Sequence, residues 1–212
     1  MYVPTAFAEQ RLDVLHDFIS RHDFASVITA GADGPAASHL PMLLLPQRGK
    51  LGTLQTHLAR QNDHWNNFAA GKPALAMFHG PHAYISPTWY ESSIAVPTWN
   101  YVVVHARGIP RLMTDEALRL HLDALVAVYE APRAPGWRSD FIPAEVSDKF
   151  RQQIVGVEIE ITQLQGKWKL GQNRPRADRI GAIRGLRAQE DYASGELANW
   201  MAVNLDGEST GS

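Results

Sequence analysis

The sequence predicts a mainly β domain with flanking helices, an α+β arrangement built on an antiparallel sheet or small barrel. Two observations carry this. Short runs rich in β-branched and aromatic residues fill the chain from Phe24 to Met113 and again from Ile154 to Leu164. Helical periodicity falls between or after these runs, without the strict strand–helix alternation of a doubly wound fold. At 212 residues, with 45% hydrophobic and 20% charged side chains, the chain suffices for one well-buried globular domain. That domain is expected over residues 1–205, with 206–212 as a disordered tail.

Leu12, Leu15 and Ile19 recur at helical spacing and predict an amphipathic helix over Ala6–Arg21. FASVITA (Phe24–Ala30), the turn Gly31–Gly34 and ASHLPMLLL (Ala37–Leu45) read as a hairpin. LGTLQT (Leu51–Thr56) is a third strand running into a short helix with Trp65, Phe68 and Ala69 as its buried stripe. Ala74–Gly80 is a fourth strand ending at a Gly80-Pro81 turn, and Thr98–Met113 is a long one with Pro110 marking an edge or bulge. Thr114 followed by Asp115 and Glu116 is an N-cap with acids in the first turn, opening a helix to Glu130. Its apolar face is Leu118, Leu122, Leu125, Val126 and Tyr129. Pro143 opens a short helix. Val155, Val157, Ile159 and Ile161 alternate with Gly156, Glu158, Glu160 and Thr162, the cleanest strand pattern in the chain. GKWKLGQNRP follows as a loop or strand end, and Ala177–Val203 as a helix interrupted near Gly195.

Cysteine is absent, which excludes disulfides, thiolate metal sites and a cysteine nucleophile and fits a reducing cytoplasm. No apolar run approaches the ~18 residues that span a bilayer, and the start lacks an export-signal pattern; a cytoplasmic protein without membrane attachment is expected. The net charge of −2 offers no general attraction to nucleic acid. It is unevenly spread: Lys167–Arg187 holds seven basic residues against Asp178 alone, +6, which leaves −8 elsewhere. Such a segment meets a phosphate, a nucleic acid or an acidic partner face, unless it is a solvated surface.

Three constellations suggest binding. In QTHLARQN (Gln55–Asn62) a strand is expected to give way to a helix, whose exposed N–H groups, with Thr56, His57 and Arg60, suit a phosphate monoester; a plain cap with a surface ion pair explains it equally well. In PTWNY, Trp99 is placed to cover a flat ring and Asn100 to meet its heteroatoms, although a core Trp is the commoner case. In GKWKLGQNR, Lys167 and Lys169 share one face of an extended segment, followed by Gln172, Asn173 and Arg174. The nine histidines show no metal-ligand spacing, and GxSxG, GxGxxG and Walker A motifs are absent.

YVP, SHLP, THLARQN, FHGPHAYISPTWY, VPTWNYVVVHARG, IVGVEIEI and GKWKLGQNRP occur in order from about Tyr2 to Gly185. Together they resemble the PaiB-like family of FMN-binding negative transcriptional regulators. The resemblance implies a six-stranded antiparallel split barrel that binds FMN at the interface of a homodimer. It implies a phosphate site at Thr56, His57 and above all Arg60, with His39, Leu40 and Pro41 along the flavin. Trp99, Asn100, Lys169, Gln172 and Asn173 would complete the site, from the same or the other subunit. Gly171 stands where the family pattern has Ser. Regulation or redox sensing is the leading expectation, and a flavin-dependent oxidoreductase is the alternative, with His57, His82 and His105 as conceivable proton donors. Direct DNA binding through Lys167–Arg187 and haem binding are weaker expectations.

Overall fold

Eight strands form the sheet: β1 (Ala8–Glu9), β2 (Phe24–Gly31), β3 (Gly34–Pro41), β4 (Leu43–Leu45), β5 (Thr53–Ala59), β6 (Ala74–Ile85), β7 (Thr98–Leu112) and β8 (Ile154–Lys169). Among the described residues six α-helices accompany them: α1 (Leu12–Arg21), α2 (His64–Ala69), α3 (Asp115–Glu130), α4 (Ala144–Arg151), α5 (Arg176–Arg187) and α6 (Tyr192–Ser209). The structure, a computed structural model, describes residues 1–31 and 34–209. Strand order is β3-β2-β6-β7-β8-β5-β4, with β1 added on β8. Strands β3 and β4 end this path, yet only Met42 separates them in sequence, so the chain itself joins the two edges.

The class is the expected mainly antiparallel sheet with flanking helices, but with eight strands where six were expected. Two local events account for the difference. Pro41 carries no N–H, and the Met42 N–H turns to the Asp23 carbonyl at 2.8 Å, which breaks Ala37–Leu45 into β3 and β4. Ala8–Glu9, expected to be helical, pairs instead with Lys167 and Gly166 of β8.

The chain groups into two compact units interleaved in sequence. Unit 1 comprises Met1–Leu15, His79–Val104 and the chain from Gln165; unit 2 comprises His16–Phe78 and His105–Leu164. In unit 2, β5 pairs antiparallel with β8 from Thr53↔Glu160 to Ala59↔Ile154. The alternation read in β8 holds: Val155, Val157, Ile159 and Ile161 are all buried. Each contributes roughly 1.5–3 kcal/mol of burial. Val27, Leu54, Leu58, Phe68 and Phe78 complete that core. Thr114 caps α3 as expected, its hydroxyl accepting the Ala117 N–H at 3.2 Å. In unit 1, α5 and α6 bury Ile183, Leu186, Leu197, Met201 and Leu205. Trp89 lies directly on α5, where a Cβ at Gly185 would stand 2.2 Å from the indole and one at Gly181 2.0 Å from the Trp89 carbonyl.

Several local expectations change. Gly80-Pro81 makes no turn; β6 runs through it, beyond the last β2 pairing at Met77 where the missing Pro81 N–H breaks no ladder bond on that edge. GKWK continues β8 because β1 pairs alongside it. The stripe of α2 is His64 and Phe68 rather than Trp65 and Ala69. The C-terminal helix breaks after Arg187, whereas Gly195 lies inside α6. The expected tail is helical to Ser209; residues 32–33 of the hairpin turn and 210–212 lie outside the described residues.

Gly108 of β7 packs closely on β8: a Cβ there would lie 2.1 Å from the Glu160 carbonyl oxygen. Gly108→Ala therefore lowers stability by about 2–3 kcal/mol, as overpacking does, seen as a reduced urea midpoint; an unchanged midpoint contradicts that approach.

Candidate functional site

Unit 2 holds six of the expected site residues. His39 is exposed on β3, its Nδ1 3.0 Å from the Ser26 hydroxyl, while Leu40 is buried. Thr56 and His57 lie in β5, opposite Val157 and Gly156, and the next helix starts at His64. The expected helix start over Gln55–Asn62, and with it a dipole for phosphate, is therefore absent: ladder pairing with β8 keeps Thr56 and His57 extended. Thr56 donates its hydroxyl to the Pro41 carbonyl at 2.7 Å. Arg60 is exposed, and its guanidinium donates to the backbone carbonyls of Gln152 (2.9 Å) and Ile154 (3.0 Å). Half of its fork thus pins the entry to β8, and Nη1 is the edge left for another acceptor.

His57 turns toward α3, its Nδ1 3.3 Å from Nε2 of His121. The two rings meet edge to face at 68°. Burial pushes the His121 imidazole down to about 4, helped by the neighbouring His57, and burial also lowers His57. Sequence reasoning passed over His121, although it sits among Leu118, Leu122 and Leu125 on one helical face, a polar ring on an apolar stripe. It also passed over His64, buried between Thr29 (Nε2 to Oγ1, 2.8 Å) and Ser38 (Nδ1 to Oγ, 2.9 Å). Asn62 and Asn67 donate to those hydroxyls at 3.1 and 3.0 Å. This fits a neutral ring, and burial lowers its affinity for a proton.

Unit 1 holds the rest. Trp99 is 54% exposed beside Tyr84, with ring centroids 6.2 Å apart. Asn100 is buried, its amide directed at the Met201 sulfur. Gln172 closes the turn after β8, accepting from the Leu170 N–H at 2.8 Å and donating to the Trp168 carbonyl at 2.6 Å. Asn173 is exposed. Gly171 has φ +85°, a backbone state that suits glycine and strains serine, so its departure from the family pattern has a conformational reason.

Lys167 and Lys169 do share a face, and Tyr101 lies beneath both: their ammonium nitrogens stand 5.2 and 6.0 Å from its ring centre. Lys167, only 8% exposed, also lies over Tyr2 and donates to the Tyr2 carbonyl at 3.1 Å. Lys169 donates to the Thr98 hydroxyl (2.6 Å) and the Trp99 carbonyl (2.7 Å). Among the described residues neither lysine makes an ion pair. Burial, with Lys167 adding like charge against the opposing influence of Tyr101, lowers the Lys169 pKa. Two ammonium groups on one aromatic face without a carboxylate form an anion-seeking donor set. The other basic residues of Lys167–Arg187 are dispersed: Arg179 is buried against Asn204, and Arg174 lies over Tyr90. No continuous row of free charges results.

Among the described residues no group of three or more His, Asp or Glu side chains is placed to hold a metal ion, and no helix is long and apolar enough to cross a membrane. Residues 1–163 match the family described as "Putative FMN-binding domain". The chain belongs to this family. It is 32% identical to the protease synthase and sporulation protein PAI 2 of Bacillus subtilis, over 97% of this chain and 98% of that protein. It is 27% identical to an uncharacterised protein of Emericella nidulans, over 94% and 95% of the two chains. Among solved structures it is similar to the FAD and heme binding protein of Mycobacterium smegmatis, with TM-score 0.62 and 18% identity over 82% of this chain and 79% of that one. The flavocytochrome Anf3 of Azotobacter vinelandii gives TM-score 0.56 and 14% identity, over 78% and 70%. These two likenesses concern the fold. FMN is the cofactor that membership of the family assigns, and the lysine–tyrosine set has the donor chemistry for its anionic part.

The buried histidines set a pH dependence. Their folded pKa values lie below the ordinary 6.5, so the unfolded chain binds more protons between pH 6.5 and about 4. Stability is full above that window and falls as pH drops through it, before most carboxylates titrate. His121→Leu should flatten the decline of the urea midpoint from pH 6.5 to 4.5; an equally steep decline contradicts a neutral buried His121.

Proposed function

We propose that the chain acts as an FMN-binding homodimer with a regulatory, redox-sensing role. The observation that carries the reading is the Lys167–Tyr101–Lys169 set: positive charge, buried at Lys167 and half-buried at Lys169, with carbonyl and ring partners but no anion. A phosphate dianion or an electron-rich flavin edge supplies the missing charge. Trp99 and Tyr84 offer exposed ring faces nearby in the same unit. Within unit 2, taken by itself, Arg60 keeps its Nη1 edge and His39 is exposed. Thr56, Asn100 and Gln172 serve instead as positioning residues, since their polar groups are committed within the protein. FMN supplies electron and hydride transfer when bound, which a sensor and an oxidoreductase would both use.

A second copy of the chain is supported by the exposed apolar side chains of unit 1, with Ile94 90%, Val96 66% and Trp99 54% accessible. The regulatory reading draws on the similarity to the Bacillus subtilis sporulation protein.

FMN titration followed by flavin fluorescence tests the cofactor reading. Lys169→Met should weaken FMN binding about tenfold or more, as loss of a charged hydrogen-bond partner does. Arg60→Gln should cost less, because half of that fork is already spent on backbone carbonyls. The reverse order moves the phosphate to Arg60, and no uptake of FMN removes the reading. Light scattering should give twice the chain mass, and Ile94→Glu should lower it; a monomeric parent protein ends the dimer proposal.

A further inference from the structure

Unit 2 contains a cavity of about 540 Å³ between α3, α4 and the strand ends at His57 and Ile154. Its walls are mainly apolar: Leu122, Leu125, Val126, Trp137, Ile142 and Phe150. The volume is that of a small-molecule site. Its two guanidinium groups are paired, and the Glu130 carboxylate accepts from the Trp137 N–H at 2.9 Å. Arg119 pairs with Glu116 and Asp123, Arg151 pairs with Asp115 and Asp148, and the Tyr129 hydroxyl donates to Asp23. An anionic ligand such as a phosphate ester would find no free cation there.

Among the polar groups of the lining, which include Ser139 and Ser147, His57 is the one whose free nitrogen its partners define. His57 lines the cavity and spends Nδ1 on His121, so Nε2 is its remaining ring nitrogen. The tautomers follow from the partners. His121 is 1% exposed and its Nδ1 has no hydrogen-bond partner. A buried N–H without an acceptor is costlier than a bare lone pair, so His121 carries its proton on Nε2 and donates it to His57 Nδ1. His57 then carries its own proton on Nε2 and presents an N–H to the cavity. Burial keeps both rings neutral near pH 7.

We propose that this cavity binds a small, uncharged, mainly apolar molecule bearing one carbonyl-type acceptor, whose oxygen takes the hydrogen bond from His57 Nε2. Its walls suit an aromatic or alicyclic ketone or quinone. The site does not depend on the FMN reading: it asks for a neutral ligand, where the lysine set asks for an anion.

The test uses 6-propionyl-2-(dimethylamino)naphthalene, a neutral dye with one ketone whose emission shifts to the red when that carbonyl accepts a hydrogen bond. Saturable binding to the full chain is expected, equal with and without added FMN. Leu122→Trp and Ile142→Trp fill the cavity from different walls and should each weaken binding about tenfold or more, as steric exclusion from a small pocket does. Thermal unfolding identifies a variant that fails to fold, in which case the other decides. His57→Phe should keep binding but weaken it about threefold to tenfold, the size of one neutral hydrogen bond, with emission moved to the blue. Unsaturable binding, wild-type affinity in the folded tryptophan variants, or competition by FMN overturns the site. Unchanged emission in His57→Phe overturns the role of His57.

Discussion

Burial of an ionisable group without a counter-charge is the constraint that organises the polar interior of this chain. Taking a charge out of water costs several kcal/mol unless hydrogen bonds or an opposite charge replace the lost solvation. The chain answers in two ways. Asp178 is buried in unit 1, yet it accepts from the Glu91 N–H, the Ser92 N–H and the Ser92 hydroxyl. Burial opposes its charge, but the donors of Ser92 and Glu91 hold its pKa below the usual carboxylate range. His57, His64 and His121 take the second way and stay neutral. Lys167 and Lys169 take the first way only in part: their ammonium groups rest on carbonyl oxygens, a hydroxyl and ring faces, without an opposite charge such as Arg174 lends to Asp178. That difference separates side chains that finish the fold from side chains that wait for a ligand.

Much of the fold was legible because it rests on local chemistry. The alternation of Val155 to Ile161 fixes the buried face of β8, and Thr114 caps α3 with its own hydroxyl. The failures share one cause: partners distant in sequence overrode a local signal. Gly80-Pro81 is a turn by propensity, but β6 carries it because the ladder on that edge ends at Met77. Gly166–Lys169 is loop-like by composition, but Ala8 and Glu9 extend the sheet there. Neither partner strand is visible from the segment itself.

The candidate site was legible in kind rather than in detail. Motif strings preserve residue types, and those led to the right family. They do not record what each side chain is already bonded to. Arg60 stood out as a forked cation at a strand end, and it is such a cation, but carbonyls about 90 residues further along the chain occupy half of the fork. Gln172 looked like a ligand amide and instead staples its own turn. Tyr101 stood out only as one ring of the VPTWNY motif, because a ring supporting two lysines looks in sequence like any strand aromatic. Gly171, by contrast, is explained once its backbone is known: at φ +85° a serine would gain a hydroxyl only at the cost of strain.

The two donor sets differ in a way that decides what each can hold. An ammonium pair over Tyr101 attracts anions through Coulomb forces that a partly buried setting strengthens. The imidazole at the α3–α4 cavity offers a directional N–H among mainly apolar walls, with every nearby guanidinium already matched to carboxylates. A dianion moved into that cavity would lose its hydration and gain no charge partner, whereas an uncharged ketone there loses little and gains one hydrogen bond. Selectivity between the sites therefore needs no gate. Under the two proposals, desolvation alone would assign the charged molecule to the lysines and the neutral one to His57.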